Sequence, residues 1–138
     1  MRVLALDIGE RRVGVAISDP GATIASPLDV LDATGRLAEQ VAALVVDREV
    51  ELVVVGLPLT LRGEEGPQAA RVRAAAERIA ERISVPIVYH DERLSSAEAN
   101  RSMKGSSSVR KRRGSVDKVA AAIFLQSFLD GGGARSSE

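Results

Sequence analysis

Arg2-Val-Leu-Ala-Leu-Asp-Ile-Gly-Glu-Arg-Arg-Val-Gly-Val-Ala-Ile-Ser18 decides the fold. Its first part, Arg2 to Ile8, is a near-continuous apolar run that ends in Asp-Ile-Gly, and Arg12 to Ser18 is a second short strand pattern. Gly9, Glu10 and Arg11 leave room only for a tight connection, so the two runs are expected to pair as an antiparallel hairpin.

Working outward, Ile24 to Leu31 supplies a third strand, after which Leu37, Val41, Leu44 and Val45 recur at helical spacing and predict a helix over Thr34 to Arg48. Leu52 to Val55 is an uninterrupted apolar strand, the kind found where helices cover both faces of a sheet. Gly56-Leu57-Pro58-Leu59 follows it and leads into a polar loop. Gly66-Pro67 opens the next helix, because proline suits a first helical turn, and Val72, Ala76, Ile79, Ala80 and Ile83 form its apolar stripe. Pro86 to His90 makes a fifth strand, Ser95 to Met103 a short helix, and Ser115 to Leu129 a last helix with Ser115 as a candidate N-cap. Three strands followed by alternating helices and strands imply an α/β layer fold, a five-stranded mixed sheet with an antiparallel half and a parallel half, flanked by helices. The chain of 138 residues is read as a single domain over residues 1–130, with 131–138 as a disordered tail.

No cysteine is present, which removes disulfides and thiolate metal sites and leaves oxygen as the main metal-binding atom. The apolar runs around Val53 and Ile123 are far shorter than a membrane span, and no signal-peptide layout precedes the first strand; a soluble, intracellular protein is expected. The formal net charge is zero, but it is unevenly spread. Residues 101–118 hold seven Lys or Arg against one acid, Asp117, so this stretch carries +6 and the remainder −6.

Three separated carboxylates stand out. Asp7 ends an apolar strand next to a glycine, where a sheet can present one charge at its rim, although an acid starting an exposed turn has the same local pattern. Glu92, in Asp91-Glu-Arg-Leu-Ser95, follows the fifth strand, the position at which α/β folds place ligands; supporting the next helix dipole is the plainer alternative. Asp117 shares one helical stripe with Ala121, Phe124 and Phe128, at spacings of four, seven and eleven. A carboxylate heading a buried stripe is costly unless paired or metal-bound, though in a first turn it also gains from the dipole. Such acids gathered at one rim would repel one another, and a hard divalent cation, Mg²⁺ or Mn²⁺, neutralises them. Two such ions suit phosphodiester hydrolysis, activating a water on one side of phosphorus and stabilising the leaving oxygen on the other. His90 is expected to pack or hydrogen-bond and to take no part in catalysis.

The segment Lys104 to Arg113, with Gly105 and three consecutive serines, has no apolar period and is expected to be a loop. Lys104, Arg110, Lys111, Arg112 and Arg113, with Arg93 and Arg11, are candidates for gripping a phosphate backbone, since the acids alone would repel a polyanion; a solvated surface loop is the alternative. With so few aromatics, recognition is expected through backbone and shape rather than base stacking.

Four ordered motifs then resemble one family: Asp7-Ile-Gly-Glu-Arg-Arg-Val-Gly-Val-Ala-Ile-Ser-Asp19; Val55-Gly-Leu-Pro-Leu59 with Gly63 through Val72; Asp91-Glu-Arg-Leu-Ser95; and Val116-Asp-Lys-Val-Ala-Ala-Ala-Ile-Phe-Leu-Gln126. Together they are similar to the YqgF family of RuvC-like nucleases over nearly the whole chain. The resemblance implies an RNase H-like fold, a cytoplasmic location, Asp7, Glu92 and Asp117 as the acidic positions, and a role in maturing the 5′ end of precursor 16S ribosomal RNA. Holliday-junction resolution is the older assignment for that family. Precursor rRNA, possible contact with ribosomal particles, and a monomer or homodimer are the partners and states so implied. Ser96 stands where the family often has threonine. Two other classes compete: an actin-like nucleotide site, because Asp7-x-Gly9 followed by Gly14 resembles a phosphate-binding hairpin, and a non-catalytic ribosome-assembly factor that binds RNA.

Overall fold

The computed structural model describes residues 1–91 and 113–132, with backbone alone for 113–117. The Arg2 to Ser18 stretch forms the expected hairpin, β1 (Val3–Ile8) and β2 (Arg12–Ser18), paired antiparallel with Leu4 opposite Ile17 and Asp7 opposite Gly14. β3 (Ala25–Asp32) adds antiparallel to β2, and the register shifts by a bulge between Val15 and Ala16. After α1 (Leu37–Asp47) the chain enters β4 (Leu52–Leu57), parallel to β1, then α2 (Pro67–Ala80), β5 (Ile87–Asp91), parallel to β4, and α3 (Arg113–Asp130). The sheet order is β3-β2-β1-β4-β5, so the two most apolar strands, β1 and β4, lie innermost.

Strand alternation sorts the core into two layers. Leu4, Leu6, Val13, Val15, Val53 and Val55 face α1 and α2, where Val41, Val45, Val72, Ala76 and Ile79 close the layer. Val3, Ala5, Ala16, Leu52 and Val54 face α3 and meet Ala121, Phe124, Leu125, Phe128 and Leu129. Helices on both faces are why Leu52 to Val55 reads as continuous hydrophobic sequence.

Several boundaries differ from the sequence expectation for definite reasons. α1 starts at Leu37 rather than Thr34, because the Asp32 carboxylate accepts hydrogen bonds from the Thr34 amide (2.8 Å) and hydroxyl (2.6 Å) and Arg36 turns left-handed (φ 51°). β4 does not stop at Val55: Gly56 pairs with His90 inside it, and the strand runs on to Leu57. α2 takes Pro67 as its first residue, as expected, but stops at Ala80, leaving Ile83 packed on the core from beyond the helix. α3 begins at Arg113, so Ser115 lies in its first turn and is not the cap. The glycines assigned to the tail instead close that helix: the Gly131 amide donates to the Ser127 carbonyl, the Gly132 amide to that of Leu129, and Gly132 sits at φ 76°. The short helix expected over Ser95 to Met103 lies outside the described residues.

β3 is an edge strand with its own protection. Pro27 lacks an amide hydrogen, and the Val30 amide is occupied by the Asp29 carboxylate at 2.7 Å.

Candidate active site at the carboxyl rim of the sheet

β1, β4 and β5 are parallel, so their carboxyl ends share one rim. Asp7 occupies that rim on β1. Alternation after Val3 and Ala5 puts it on the face that α3 covers. Gly14 pairs with Asp7 on one side; on the other, Leu6 pairs with Val55 and Gly56 with His90, which sets Gly56 at the level of Asp7. Across four strands this face therefore reads Gly14, Asp7, Gly56, His90. Cross-strand neighbours stand only about 5 Å apart at Cβ, so two flanking glycines keep both sides of the carboxylate clear of side chains. Asp7 is half-buried, and among the described residues no cation or hydrogen-bond donor engages its side chain. A half-withdrawn carboxylate with space beside it fits a hard divalent cation, which offsets the desolvation and binds through oxygen.

Asp117 is in α3, one turn before Ala121, whose stripe with Phe124 and Phe128 is buried against this same sheet face. Glu92 lies outside the described residues; it directly follows Asp91, the last residue of β5. Among the described residues, no group of three acids or histidines is assembled that could hold a metal. The rim thus brings the strand ends before Glu92 and around Asp7 to one edge and lays the helix of Asp117 across the same face.

The turn beside Asp7 is fixed by glycine and an ion pair. The Gly9 amide donates to the Arg12 carbonyl at 2.9 Å, and a Cβ on Gly9 would sit 2.9 Å from that same oxygen. Glu10 is held by Arg71 of α2 at 2.7 Å, and the guanidinium keeps its carboxyl below the usual range. Arg11 is exposed at the tip, its carbonyl accepting from the Ala33 amide. Arg93, Lys104, Arg110, Lys111 and Arg112 lie outside the described residues, and Arg113 is the first residue of α3.

His90 packs. Its ring stacks near Phe124 (centroids 6.3 Å apart, planes 18°) and meets Phe128 edge-on at 5.7 Å. Burial pushes its pKa down, opposed by the nearby Asp91, and among the described residues Nε2 is buried without a hydrogen-bond partner. The ring ties β5 to α3 just below the rim. At the opposite end of the sheet, Asp19 accepts hydrogen bonds from the amides of Gly21, Thr23 and Ile24 and from the Thr23 hydroxyl, which hold its carboxyl far below the ordinary range. Gln126 of α3 clamps that loop, donating to the Thr23 carbonyl and accepting from the Ala25 amide. Asp19 therefore belongs to the scaffold, although it closes the same sequence motif as Asp7.

The packing expected of His90 is found, whereas Arg71 and the placing of Gly14 and Gly56 on either side of Asp7 were missed by sequence reasoning. The glycines carried the only available signal, small residues inside otherwise bulky strands.

A five-stranded mixed sheet between helices, with an acid at its carboxyl rim, is the RNase H-like fold. Solved structures agree: Thermus thermophilus RuvC superposes with a TM-score of 0.61 at 19% identity, covering 99% of this chain and 97% of that one. The same protein in complex with a Holliday junction substrate gives 0.59 at 18% identity, with 94% and 93% covered. The chain belongs to the RuvX family, described as Holliday junction resolvase, whose profile matches residues 1–131. This bears out the YqgF resemblance of the four motifs, the two names denoting one family. A relative from Chloroflexus aurantiacus, 47% identical over 131 residues (93% of this chain, 86% of its own), is named "Putative pre-16S rRNA nuclease". One from Roseiflexus sp. with the same name is 45% identical over 132 residues, 94% of each chain. Family and fold make the chain a nuclease, a hydrolase of phosphodiester bonds in nucleic acid. No helix among the described residues is long and apolar enough to cross a membrane.

Proposed function

We propose that the chain is a metal-dependent endonuclease that matures the 5′ end of precursor 16S rRNA in the cytoplasm, with Asp7, Glu92 and Asp117 holding Mg²⁺ or Mn²⁺. The observation that carries this reading is the row on the α3 face, in which Asp7 lies between Gly14 and Gly56 at the rim. A phosphodiester needs close approach to a carboxylate-held cation, and only backbone borders Asp7 within the sheet. Bound divalent ions would supply an activated water and neutralise the leaving oxygen. The chain's own task is to hold the carboxylates on rigid elements: Asp7 on a central strand, Asp117 on a helix docked through Phe124 and Phe128. Arg11, Arg93, Lys104, Arg110, Lys111, Arg112 and Arg113 would hold the backbone phosphates.

The family description favours a second substrate, the four-way DNA junction. Purified protein incubated with precursor 16S RNA, a four-way junction and a linear duplex, each with Mn²⁺, Mg²⁺ or chelator, separates the two. Cleavage is expected only with metal, faster on the RNA, and abolished in Asp7→Asn and Asp117→Asn. Cleavage that survives either substitution would refute the carboxylate site, and metal-independent binding with no cleavage would mark an RNA-binding assembly factor.

A further inference from the structure

Between β4 and α2 the chain makes a small hairpin. Leu59 bridges Glu65, the Thr60 amide donates to the Glu64 carbonyl at 2.8 Å, the Gly63 amide donates to the Thr60 carbonyl at 2.8 Å, and Gly63 turns at φ 82°. Its base is tied down. Arg73 bonds both Glu65 oxygens, one at 2.8 Å, and lies 4.5 Å over the Tyr89 ring, while Leu59 packs on the core. At the tip, Leu61 is 99% exposed and Arg62 beside it is exposed as well.

A single exposed leucine is ordinary; its placement here is not. The hairpin rises from β4, the strand between β1, which carries Asp7, and β5, which Glu92 follows. It therefore stands at the rim between the strand that carries Asp7 and the end of β5, which Glu92 follows in sequence. The other large exposed apolar side chains are elsewhere among the described residues: Ile24 (63%) in the β2–β3 loop at the opposite end, and Val46 (76%) on α1. The chain's aromatics are already engaged, Phe124 and Phe128 in the core and Tyr89 beneath Arg73. Among the described residues, Leu61 is thus the large exposed apolar side chain placed at this rim for contact with a base.

We infer that this hairpin displaces a base: Leu61 packs against the face of a nucleotide beside the scissile bond and opens its stack, while Arg62 pairs with a neighbouring phosphate. The inference rests on the nuclease reading for its location. Aliphatic wedges work in this way where a protein must unstack a duplex step, and a firm base lets the tip push. Selectivity follows, because a paired or stacked base needs the wedge and an unstructured strand does not.

The test uses a stem with a single-stranded arm and 2-aminopurine at the junction, bound in chelator by the Asp7→Asn protein with Leu61 intact, Leu61→Ser or Leu61→Phe. Leu61 and Leu61→Phe are expected to raise the fluorescence on binding, and Leu61→Ser to lose most of the rise, with an unchanged melting temperature. Affinity for an unstructured strand should stay within about twofold, whereas cleavage of the paired substrate by Leu61→Ser with Asp7 intact should fall about tenfold. An equal rise with serine, no rise with leucine, or an equal loss on the unstructured strand overturns the inference. Failure of the nuclease reading shows separately, as absent or chelator-resistant cleavage, and leaves the fluorescence comparison decisive.

Discussion

Replacing Phe124 by alanine tests how the site is held. Phe124 is 2% exposed, packs in the layer with Val3, Ala5, Leu52 and Val54, and stacks on His90. Phenylalanine-to-alanine changes in such cores cost about 3–5 kcal/mol, and a domain of this size has only about 5–15 kcal/mol in hand. Phe124→Ala should therefore remove about a fifth or more of the total and lower the melting temperature by about 9–25 °C, at about 3–5 °C per kcal/mol. Urea denaturation followed by circular dichroism measures it, with Phe124→Leu expected to lose about 1–1.5 kcal/mol and Val46→Ala, on a side chain 76% exposed, within about 0.5 kcal/mol. The single histidine gives a second readout. Burial holds the His90 pKa below 6.5, so its neutral form is favoured by folding; that contribution is complete above 6.5 and declines as pH falls through the depressed folded value. Opening the Phe124 side should raise the pKa toward 6.5 in an NMR titration. A Phe124→Ala protein within 1 kcal/mol of the parent, or one whose His90 still titrates at the parent value, would refute the account of α3 docking.

Gly9→Ala forces a Cβ to within 2.9 Å of the Arg12 carbonyl, so the hairpin should lose about 1–3 kcal/mol in urea melts, and Asp7 should shift enough to slow cleavage. Asp19 has a depressed folded pKa, so its stabilisation is present above 3.8 and lost as pH falls through the folded value; Asp19→Asn should lower the neutral-pH melting temperature and flatten the acid limb of a Tm-against-pH profile. Alanine at Arg110, Lys111, Arg112 and Arg113 should weaken nucleic-acid binding and reduce the slope of log K against log salt by about 3, if each residue meets one phosphate; an unchanged slope removes the clamp.

The hairpin, the buried β4 and the amphipathic faces of α1 and α2 were legible because each follows from a local period. Where a tertiary contact competes with that period, the sequence reading slipped. Thr34 looked like a helix start until Asp32 took its amide, and Gly56 looked like a break although its partner His90 keeps it in the sheet. Asp7 could be picked out from one strand, since its position depends only on where that strand ends. Its glycine surroundings could not, because Gly14 and Gly56 meet it through the registers of two separate pairings. Asp117 was legible as a position on a stripe because Ala121, Phe124 and Phe128 mark the buried face of α3.

The guarded edge at β3 governs how copies of the chain can meet. An open sheet edge is an adhesive surface, and its hazard grows with the unpaired backbone groups it offers. Here one position has no donor at Pro27, the Val30 donor is spent on Asp29, and the exposed acids Asp29 and Asp32 put negative charge along the edge. Growth of the sheet through this side is thus opposed by hydrogen bonding and by charge together. A protein that must stay dispersed while handling long polyanions gains colloidal stability from a border with nothing to stick to.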